Sequence, residues 1–177
     1  MALYIAAAVA AVLLAVYASW TARRLDRLHA RVDAAAAALD EQLAQRAETA
    51  ARLAQRADLP RAAVTDLAKA AVGVADAVGL GHDRETLENA LSRALQDASA
   101  SLSPNGAETA GIIDVVTRVS FARRFHNDAV RDALAVRRRW VVRLLHLAGH
   151  AARPSYFEMD DTALAISDVA AASAPYD

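Results

Sequence analysis

The chain of 177 residues contains no cysteine, six glycines and four prolines, and only 5% of its residues are aromatic. Without cysteine it cannot form a disulfide scaffold, a thiol nucleophile or a cysteine-ligated zinc or iron-sulfur site. The few glycines and prolines, together with 47 alanines, favour long helices, because alanine has the highest helix propensity and gives a sheet little to pack against. The composition therefore predicts an all-α protein.

Charge is nearly balanced over the whole chain but not along it. The 20 basic and 21 acidic side chains give a net charge of -1, and Lys69 is the only lysine. By segment the net charge is +2 for residues 23–57, -3 for 58–103, +5 for 107–153 and -5 for 155–177. Nucleic-acid binding is not predicted, because only one short stretch is basic and neither a recognition motif nor a set of stacking aromatic residues accompanies it.

The first 22 residues have the properties of a membrane span. Ala2 to Ala22 carry no charge, and Arg23 and Arg24 follow at once. As a helix this stretch is ~31 Å long, against a hydrocarbon core of ~30 Å. Tyr17 and Trp20 lie at its C-terminal end, where amphipathic rings prefer the headgroup level. Because arginines flank that end alone, the sequence predicts a single-pass anchor in residues 1–22, with the N-terminus outside and the rest of the chain in the cytoplasm.

A secretory signal peptide is the main alternative for this segment. Val16 and Ala18 satisfy a small-residue cleavage rule, and cleavage there would release a secreted or surface helical protein beginning at Ser19. However, a positively charged region before the apolar run is missing, the run exceeds the usual ~7 to 15 residues, and the arginines lie on the wrong side. A buried core helix is less suitable still, since such apolar runs span ~10 to 14 residues. The anchor is the preferred interpretation.

After the anchor, apolar residues recur at helical spacing. The first helix is predicted to run out of the membrane to about Ala57, and three more are predicted over 61–78, 84–102 and 107–150, with Asp83 as the cap of the third and a turn at 103–106. The predicted inward-facing residues are Leu25, Leu28, Val32, Ala36, Leu39, Leu43, Ala47, Ala50 and Leu53 on the first helix; Val64, Leu67, Ala71, Val74 and Val78 on the second; Leu87, Leu91, Ala94 or Leu95, and Ala98 on the third; and Ile112, Val115, Val119, Ala122, Phe125, Ala129, Ala133, Val136, Trp140, Leu144 and Leu147 on the fourth.

Short turns between amphipathic helices imply antiparallel neighbours. The predicted fold is therefore an N-terminal transmembrane helix followed, in residues 23–153, by an antiparallel up-down helical bundle with long first and last helices. Residues 154–177 include five acids after Pro154 and are predicted to form an acidic, weakly ordered tail. A short helix near residues 163–171 is the one element considered there.

The end of the last helix is strongly basic and amphipathic. In an antiparallel bundle its length of ~66 Å returns this stretch to the membrane beside the end of the anchor. There it would bind anionic headgroups, at ~1 kcal/mol for each basic residue. A solvated arginine face, neutralised by the acidic tail, accounts for the same residues, and both interpretations stay open. The predicted membrane-surface residues are Arg23, Arg24, Arg137, Arg138, Arg139, Trp140 and Arg143.

Residues 121–132 include Ala122, Arg123, His126, Asn127 and Val130. This segment and two others resemble the LemA family of bacterial membrane-anchored helical proteins. It is similar to the family's Ala-Arg-x-x-Tyr-Asn-x-x-Val pattern, with His126 in the tyrosine position. The other two segments comprise Leu39, Asp40, Gln42, Leu43 and Arg46, similar to its Asp-x-Gln-Leu-x-Arg run, and Tyr156, Phe157 and Glu158, similar to its aromatic-acidic ending. The family's Pro-Asn-Leu after the first run is absent, since residues 49–53 stand there.

The resemblance implies a single N-terminal span, an outside N-terminus and an antiparallel helical bundle. The family as a whole has no established enzymatic activity, although a relative takes part in building magnetosome membranes. No functional residue can be carried over from it, because none has a known role. The resemblance to this family therefore favours a structural or protein-interaction role, at the cytoplasmic face of the membrane, with a protein partner of unknown identity.

Candidate chemistry is sparse. His146 and His150 lie at i and i+4 on one helix face, with Glu158, Asp160 and Asp161 after a turn, and two imidazoles plus a carboxylate can bind zinc. Metal binding is the weaker alternative, because residue 147 is leucine instead of the glutamate of a zinc protease.

Catalysis is not predicted either. Ser120 has no evident base beside it, and neither a glycine-rich phosphate loop nor a paired-carboxylate motif occurs. The sequence predicts no enzyme, no cofactor and no small-molecule substrate. Asp40, Arg124 and Asn127 border apolar stripes on the two long helices and are predicted to hydrogen bond across the bundle, in a structural role.

Overall fold

The computed structural model describes residues 1–56, 58–77, 79–145 and 152–160. About 80% of these residues are helical and none of them lies in a strand, which confirms the all-α prediction. The helices are α1 (Ala2–Leu53), α2 (Arg61–Ala75), α3 (His82–Ser99), α4 (Ala107–Arg137) and α5 (Trp140–Leu144). The chain divides into two compact units: unit 1 comprises Met1–Ala35 and His126–Tyr156, and unit 2 comprises Ala36–Phe125 and Phe157–Asp177.

Helix α1 is a single helix of 52 residues that begins with the predicted anchor. Its predicted inward stripe is confirmed from Leu25 to Leu53: each of the nine residues is buried or half-buried. The helix ends at Leu53, before the predicted end at Ala57, and Arg56 N donates to Leu53 O in a tighter turn. Pro60 then precedes α2, because proline is tolerated at a helix start and not inside a helix.

The core of unit 2 is built from small and branched aliphatic side chains. Gly73 of α2 lies so close to α3 that an added Cβ would be 3.3 Å from Leu87 Cδ2. The predicted turn after α3 is confirmed, since Gly106 N donates to Ser103 O at 2.9 Å. The fully buried members of this core include Ala50, Leu67, Val74, Leu91, Leu95, Ala98 and Ile112.

Asp83 does not cap α3, which begins one residue before it. Gly81, with an extended backbone, occupies the N-cap position, and no side chain caps this end. Asp83 and Glu85 lie in the first turn instead. Their carboxylates interact favourably with the positive end of the helix dipole. Asp83 therefore stabilises the start of α3 through its charge and not as the predicted N-cap.

The predicted fourth helix, 107–150, is wrong at its C-terminal end. Helix α4 ends at Arg137, and Arg139 takes an extended backbone with ψ of 135° before α5 begins. This break turns Val141 and Val142 inward and leaves Trp140 72% exposed. Because Val141 and Val142 are buried and Trp140 is exposed, the predicted inward-facing stripe does not continue past the break.

Three residues predicted to face inward on this segment are exposed: Trp140 and Leu144 after the break, and Phe125 within α4. Val115 and Ala122 are half-buried, and Leu147, like Val78 of the second stripe, lies outside the described residues. The prediction is confirmed for five residues of α4, which are buried: Ile112, Val119, Ala129, Ala133 and Val136. The buried face of α4 also includes residues that were not predicted: Val116, Ser120, His126, Val130 and Leu134.

Unit 1 packs the middle of α1 against the end of α4. Val32 belongs to one cluster with Ala129 and Val130, and Leu25 belongs to another with Val136 and Val142. Residue numbers therefore rise on α1 as they fall on α4. Arg31 Nη1 lies 3.1 Å from Asp132 Oδ2 on the exposed edge of the same pair, where an ion pair contributes little.

Residues 152–160 lack regular secondary structure, yet they are not the weakly ordered tail that the composition predicts. In unit 2, Phe157 is 1% exposed and packs with Leu39, Leu43 and Val119. The backbone N–H of Glu158 donates to Glu85 Oε1 at 2.7 Å. A buried phenylalanine and backbone hydrogen bonds hold this strap in place. The rest of the predicted tail, with the short helix considered at 163–171, lies outside the described residues.

Candidate functional site

The apolar start of α1 is uncovered by protein. Its most apolar window of 18 residues has a mean hydropathy of 2.2, and none of that window is buried. Burial begins at Thr21 and Leu25, which are 2% and 1% exposed. Length and composition thus give α1 one segment apolar enough to cross a membrane.

An aromatic and a basic residue mark the end of this segment. The rings of Tyr17 and Trp20 lie 6.4 Å apart, and the Arg24 guanidinium lies 5.8 Å from the centre of the Trp20 ring. That distance is within the range of a cation–π interaction. Arg23 is exposed, whereas Arg24 is half-buried. Trp20 and Arg24 therefore present an amphipathic pair where the bare helix meets the packed protein.

The basic stretch of α4 and α5 lies beside the same end of α1. Val142 of α5 packs on Leu25, one residue beyond Arg24. Arg137 is held by two contacts: its Nη1 donates to the backbone oxygen of Ala152 at 2.9 Å and lies 3.3 Å from His29 Nε2. Three other predicted membrane-surface arginines, Arg138, Arg139 and Arg143, are exposed.

Four arginines surround a cavity of about 310 Å³ in unit 1. The described residues that line this arginine cavity are Leu134, Arg137, Arg138, Arg143 and Arg153, and none of these is acidic. Sequence reasoning did not select Arg153, because it lies ten residues beyond Arg143 and after the predicted helix. The only hint in the sequence was that Arg153 precedes Pro154, where the chain leaves the predicted helix.

Unit 2 contains a fully buried ion network that the sequence analysis did not predict. The side chains of Arg46 and Glu88 are 0% exposed and form an ion pair through Arg46 Nη2 and Glu88 Oε2. Arg46 also donates to Ser92 Oγ at 3.1 Å, and Arg84 Nε donates to the other Glu88 oxygen at 2.8 Å. A charge among apolar positions was the available signal, since Arg46 follows Leu43 and precedes Ala50 at helical spacing.

The three predicted structural polar residues occupy different surroundings. Asp40 Oδ1 lies 3.6 Å from Arg84 Nη2, so it joins the edge of the ion network in unit 2. Arg124 is exposed, in unit 2, and Asn127 is half-buried, in unit 1. Asp40 therefore has its ionic partner on α3, and the hydrogen bonds predicted for Arg124 and Asn127 stay predictions.

Unit 2 contains a groove between two helices. It has a volume of about 620 Å³ and lies along α1 and α2. Most of the residues that line it are alanines, with Val72 exposed on one wall and Asp40, Glu48 and Arg84 supplying charge. These side chains provide an apolar trough with a charged edge, and they include neither a nucleophile nor an imidazole.

His126 is a buried titratable group in unit 1. Its Nε2 lies 3.3 Å from the backbone oxygen of Ser155, and its Nδ1 has no hydrogen-bond partner among the described residues. Burial lowers the pKa of His126, and the hydrogen bond to Ser155 partly opposes that shift. The neutral ring, with Nε2–H as donor, is therefore the form that fits this position.

The residues considered for metal binding are only partly described. His146 and His150 lie outside the described residues, as does Asp161, and Glu158 and Asp160 are exposed. The part of the chain that the structure describes holds no group of three histidine, aspartate or glutamate side chains able to hold a metal ion. Ser120 is buried on α4.

Comparison of the chain with family models, with curated proteins and with solved structures found no match. Sequence and geometry thus supply all the observations on which a function is proposed.

Replacing Arg46 by alanine should lower the free energy of unfolding by about 3–5 kcal/mol, because it leaves part of a buried carboxylate unpaired. The measurement is chemical denaturation of the full-length protein in detergent, followed by its helical circular dichroism. Arg52→Ala is the matched control: Arg52 pairs with Glu48 on the exposed surface of the same helix, and its loss should cost less than about 1 kcal/mol. Equal losses for the two variants would contradict the buried network.

His126 should make stability fall on acidification. Because its pKa is lowered in the folded state, the unfolded chain binds more protons between that value and the ordinary ~6.5. The contribution is complete above the ordinary value and is lost as the pH falls toward the folded pKa. Unfolding measured at pH 7.5 and 5 should show a shallower decline for His126→Tyr than for the native chain. His82→Gln, at a residue whose side chain is 91% exposed, should retain the native decline; an unchanged decline in His126→Tyr would refute the assignment.

Proposed function

We propose that this chain is a single-pass membrane protein, similar to the LemA family, that holds an antiparallel helical bundle at the cytoplasmic face of the membrane. Its role there is structural or mediates protein interaction. The observation that carries the proposal is the bare apolar start of α1, whose most apolar window has no buried residue. Such a surface is unfavourable in water and favourable in lipid.

The boundary between bare and packed helix supports the position of the span. Residues 2–20 of α1 would be about 28 Å long, close to the hydrocarbon thickness of ~30 Å. Thr21 is the first buried residue, so protein covers the helix only where lipid would end. Trp20 and Arg24, at 5.8 Å, suit the interface between hydrocarbon and water.

The distribution of arginines supports the orientation. Arg23, Arg24, Arg27 and Arg31 follow the apolar segment, and no basic side chain precedes it. Positively charged flanks stay on the cytoplasmic side during insertion. The N-terminus is therefore outside, and the parts of both units that follow the apolar segment are cytoplasmic.

The clusters within each unit support the antiparallel, up-down arrangement. In unit 1, Leu25 packs with Val136 and Val32 packs with Ala129. In unit 2, Leu39 and Leu43 belong to one cluster with Val119, and Ala50 and Leu53 belong to another with Ile112 and Val116. Rising numbers on α1 pair with falling numbers on α4 in both cases, as expected for helices that run in opposite directions.

The groove in unit 2 supports the interaction role. Its volume is about 620 Å³, and alanines make up most of its lining. Small side chains allow the backbone of a second helix to approach closely, and amphipathic helices bind in apolar grooves of this kind. Val72, on α2, is 62% exposed at its wall, so an apolar side chain is available there for contact with a partner.

The chain has no cysteine, so single cysteines can report its topology. A membrane-impermeant maleimide should label Ala2→Cys in intact spheroplasts, because the N-terminus is outside. It should label Ser101→Cys, in the exposed turn before α4, only after the membrane is permeabilised. The protein should also stay in the membrane fraction after alkaline extraction.

Each other result rejects a defined part of the proposal. Labelling of Ser101→Cys alone in intact spheroplasts would reverse the orientation. Recovery of the intact chain in the soluble fraction would reject the anchor. A mature protein that begins at Ser19 and has left the membrane would establish the secreted alternative.

A photo-crosslinking amino acid tests the interaction role at the groove. Placed at Val72, it should form a discrete adduct with a partner protein in native membranes, because Val72 lines the groove. Placed at Thr65, an exposed residue of the same helix outside the groove lining, it should form much less of that adduct. Equal adducts at the two positions, or none at Val72, would count against the groove as the interaction surface.

A further inference from the structure

The arginine cavity brings four positively charged side chains together around one space. Among the described residues, the side chains of Arg138, Arg143 and Arg153 form no ion pair or hydrogen bond, and no acidic side chain lines the cavity. Arg137 is fixed at its wall by Ala152 O and His29. Four like charges around one space repel each other, and a bound anion removes that repulsion.

The chemistry of the lining fits a phosphate group. A guanidinium presents its N–H donors in a planar fork that matches two phosphate oxygens, and it stays charged at any physiological pH. A cavity of about 310 Å³ is at the small end of ligand sites, which suits a headgroup better than a whole organic substrate.

Exposed apolar side chains adjoin this basic site. Trp140 and Leu144 lie at i and i+4 on α5 and are 72% and 66% exposed. Residues at this spacing share a helix face. On the buried side of α5, Val142 packs on Leu25. Leu25 lies four residues after Thr21, the first buried residue of α1. A polar cavity and an apolar pair thus occur together beside the proposed exit from the membrane.

We propose that the arginine cavity binds the phosphate group of an anionic lipid headgroup, while Trp140 and Leu144 contact the acyl chains of that lipid. The proposal rests on the proposed membrane location, since the lipid must lie beside the end of α1. It assigns a binding role to Arg153 and separates a defined headgroup site from a diffuse attraction between basic residues and the membrane surface.

The two tryptophans, Trp20 and Trp140, allow a direct test. Full-length Trp20→Phe protein, in which Trp140 is the only tryptophan, is reconstituted in vesicles that contain phosphatidylcholine and phosphatidylglycerol in equal amounts. In one preparation the phosphatidylglycerol carries brominated acyl chains, and in the other the phosphatidylcholine does. Bromine quenches tryptophan fluorescence at contact distance, so stronger quenching in the first preparation shows that the anionic lipid is enriched at Trp140.

Charge-matched variants separate the cavity from net charge. Arg138→Gln, Arg143→Gln and Arg153→Gln together should abolish the preference, since each basic residue near a membrane surface changes lipid affinity by about fivefold. Arg61→Gln, Arg93→Gln and Arg118→Gln remove the same charge from exposed positions of unit 2 and should leave the preference intact. An equal loss in both triple variants would overturn the cavity site.

Two further experiments test whether inorganic phosphate or the acidic C-terminal segment occupies the cavity instead of a lipid. Inorganic phosphate in excess should leave the lipid preference in place; if phosphate binds the cavity while no lipid preference exists, the proposal is overturned in favour of a soluble ligand. Asp161→Asn, Asp168→Asn and Asp177→Asn should also have little effect. A lipid preference that appears only in this neutralised chain would assign the cavity to the acidic C-terminal segment and overturn the proposal.

The Trp140→Phe protein, in which Trp20 remains, distinguishes failure of this inference from failure of the anchor. Trp20 lies at the end of the apolar segment, so both brominated lipids should quench it if α1 spans the bilayer. Quenching of Trp20 with no headgroup preference at Trp140 rejects the arginine site alone. No quenching of Trp20 by either lipid rejects the membrane span itself.

Discussion

The constraint on which the proposed biology depends is the absence of any protein cover over the first part of α1. None of its most apolar window is buried, although the same helix is well packed from Thr21 and Leu25 onward. The two parts of α1 therefore have different surroundings. In the proposed topology lipid covers the first segment and protein the second, because a bare apolar helix of this length would otherwise expose a large hydrophobic surface to water.

A different balance of forces shapes unit 2. Burying Arg46 and Glu88 completely removes two charges from water, which is costly even when they pair. The cost is partly offset by further partners: Ser92 and the backbone oxygen of Glu88 accept from Arg46, and Arg84 donates to Glu88. Arg46 Nε has no hydrogen-bond partner among the described residues. Buried ion pairs often contribute no more stability than apolar packing would, and these contacts join α1 to α3 at defined positions. We infer that they fix the register of these helices.

Residues 157–160, the part of the strap that belongs to unit 2, add further contacts to this ion network. Met159 Sδ lies 3.6 Å from Arg46 Nη2, and Arg123 of α4 donates to the backbone oxygen of Met159. Phe157 fills the adjoining apolar space. The composition of the C-terminal region concealed this role, because a segment rich in acids, alanine and serine resembles a disordered tail even when one aromatic side chain is enough to hold its beginning.

Periodicity predicted α1 best and α4 worst, for a physical reason. The stripe of α1 repeats with little ambiguity from Leu25 to Leu53, and all of it is buried or half-buried. On α4, apolar residues occupy more than one face, so Phe125 and Trp140 fit the spacing as well as the residues that are buried. The break at Arg138 and Arg139 carries neither proline nor glycine, which are the residues that mark helix ends in a sequence.

The sequence by itself determined the helical class, the bare apolar segment, the arginines beside it and the inner face of α1, because these depend on composition and on neighbours one helical turn away. The tertiary structure decided which charges are buried and which converge. Arg46 meets Glu88 across 42 positions, and Arg153 joins Arg137, Arg138 and Arg143 around one cavity. Those encounters depend on how distant segments pack, and local spacing carries no record of that.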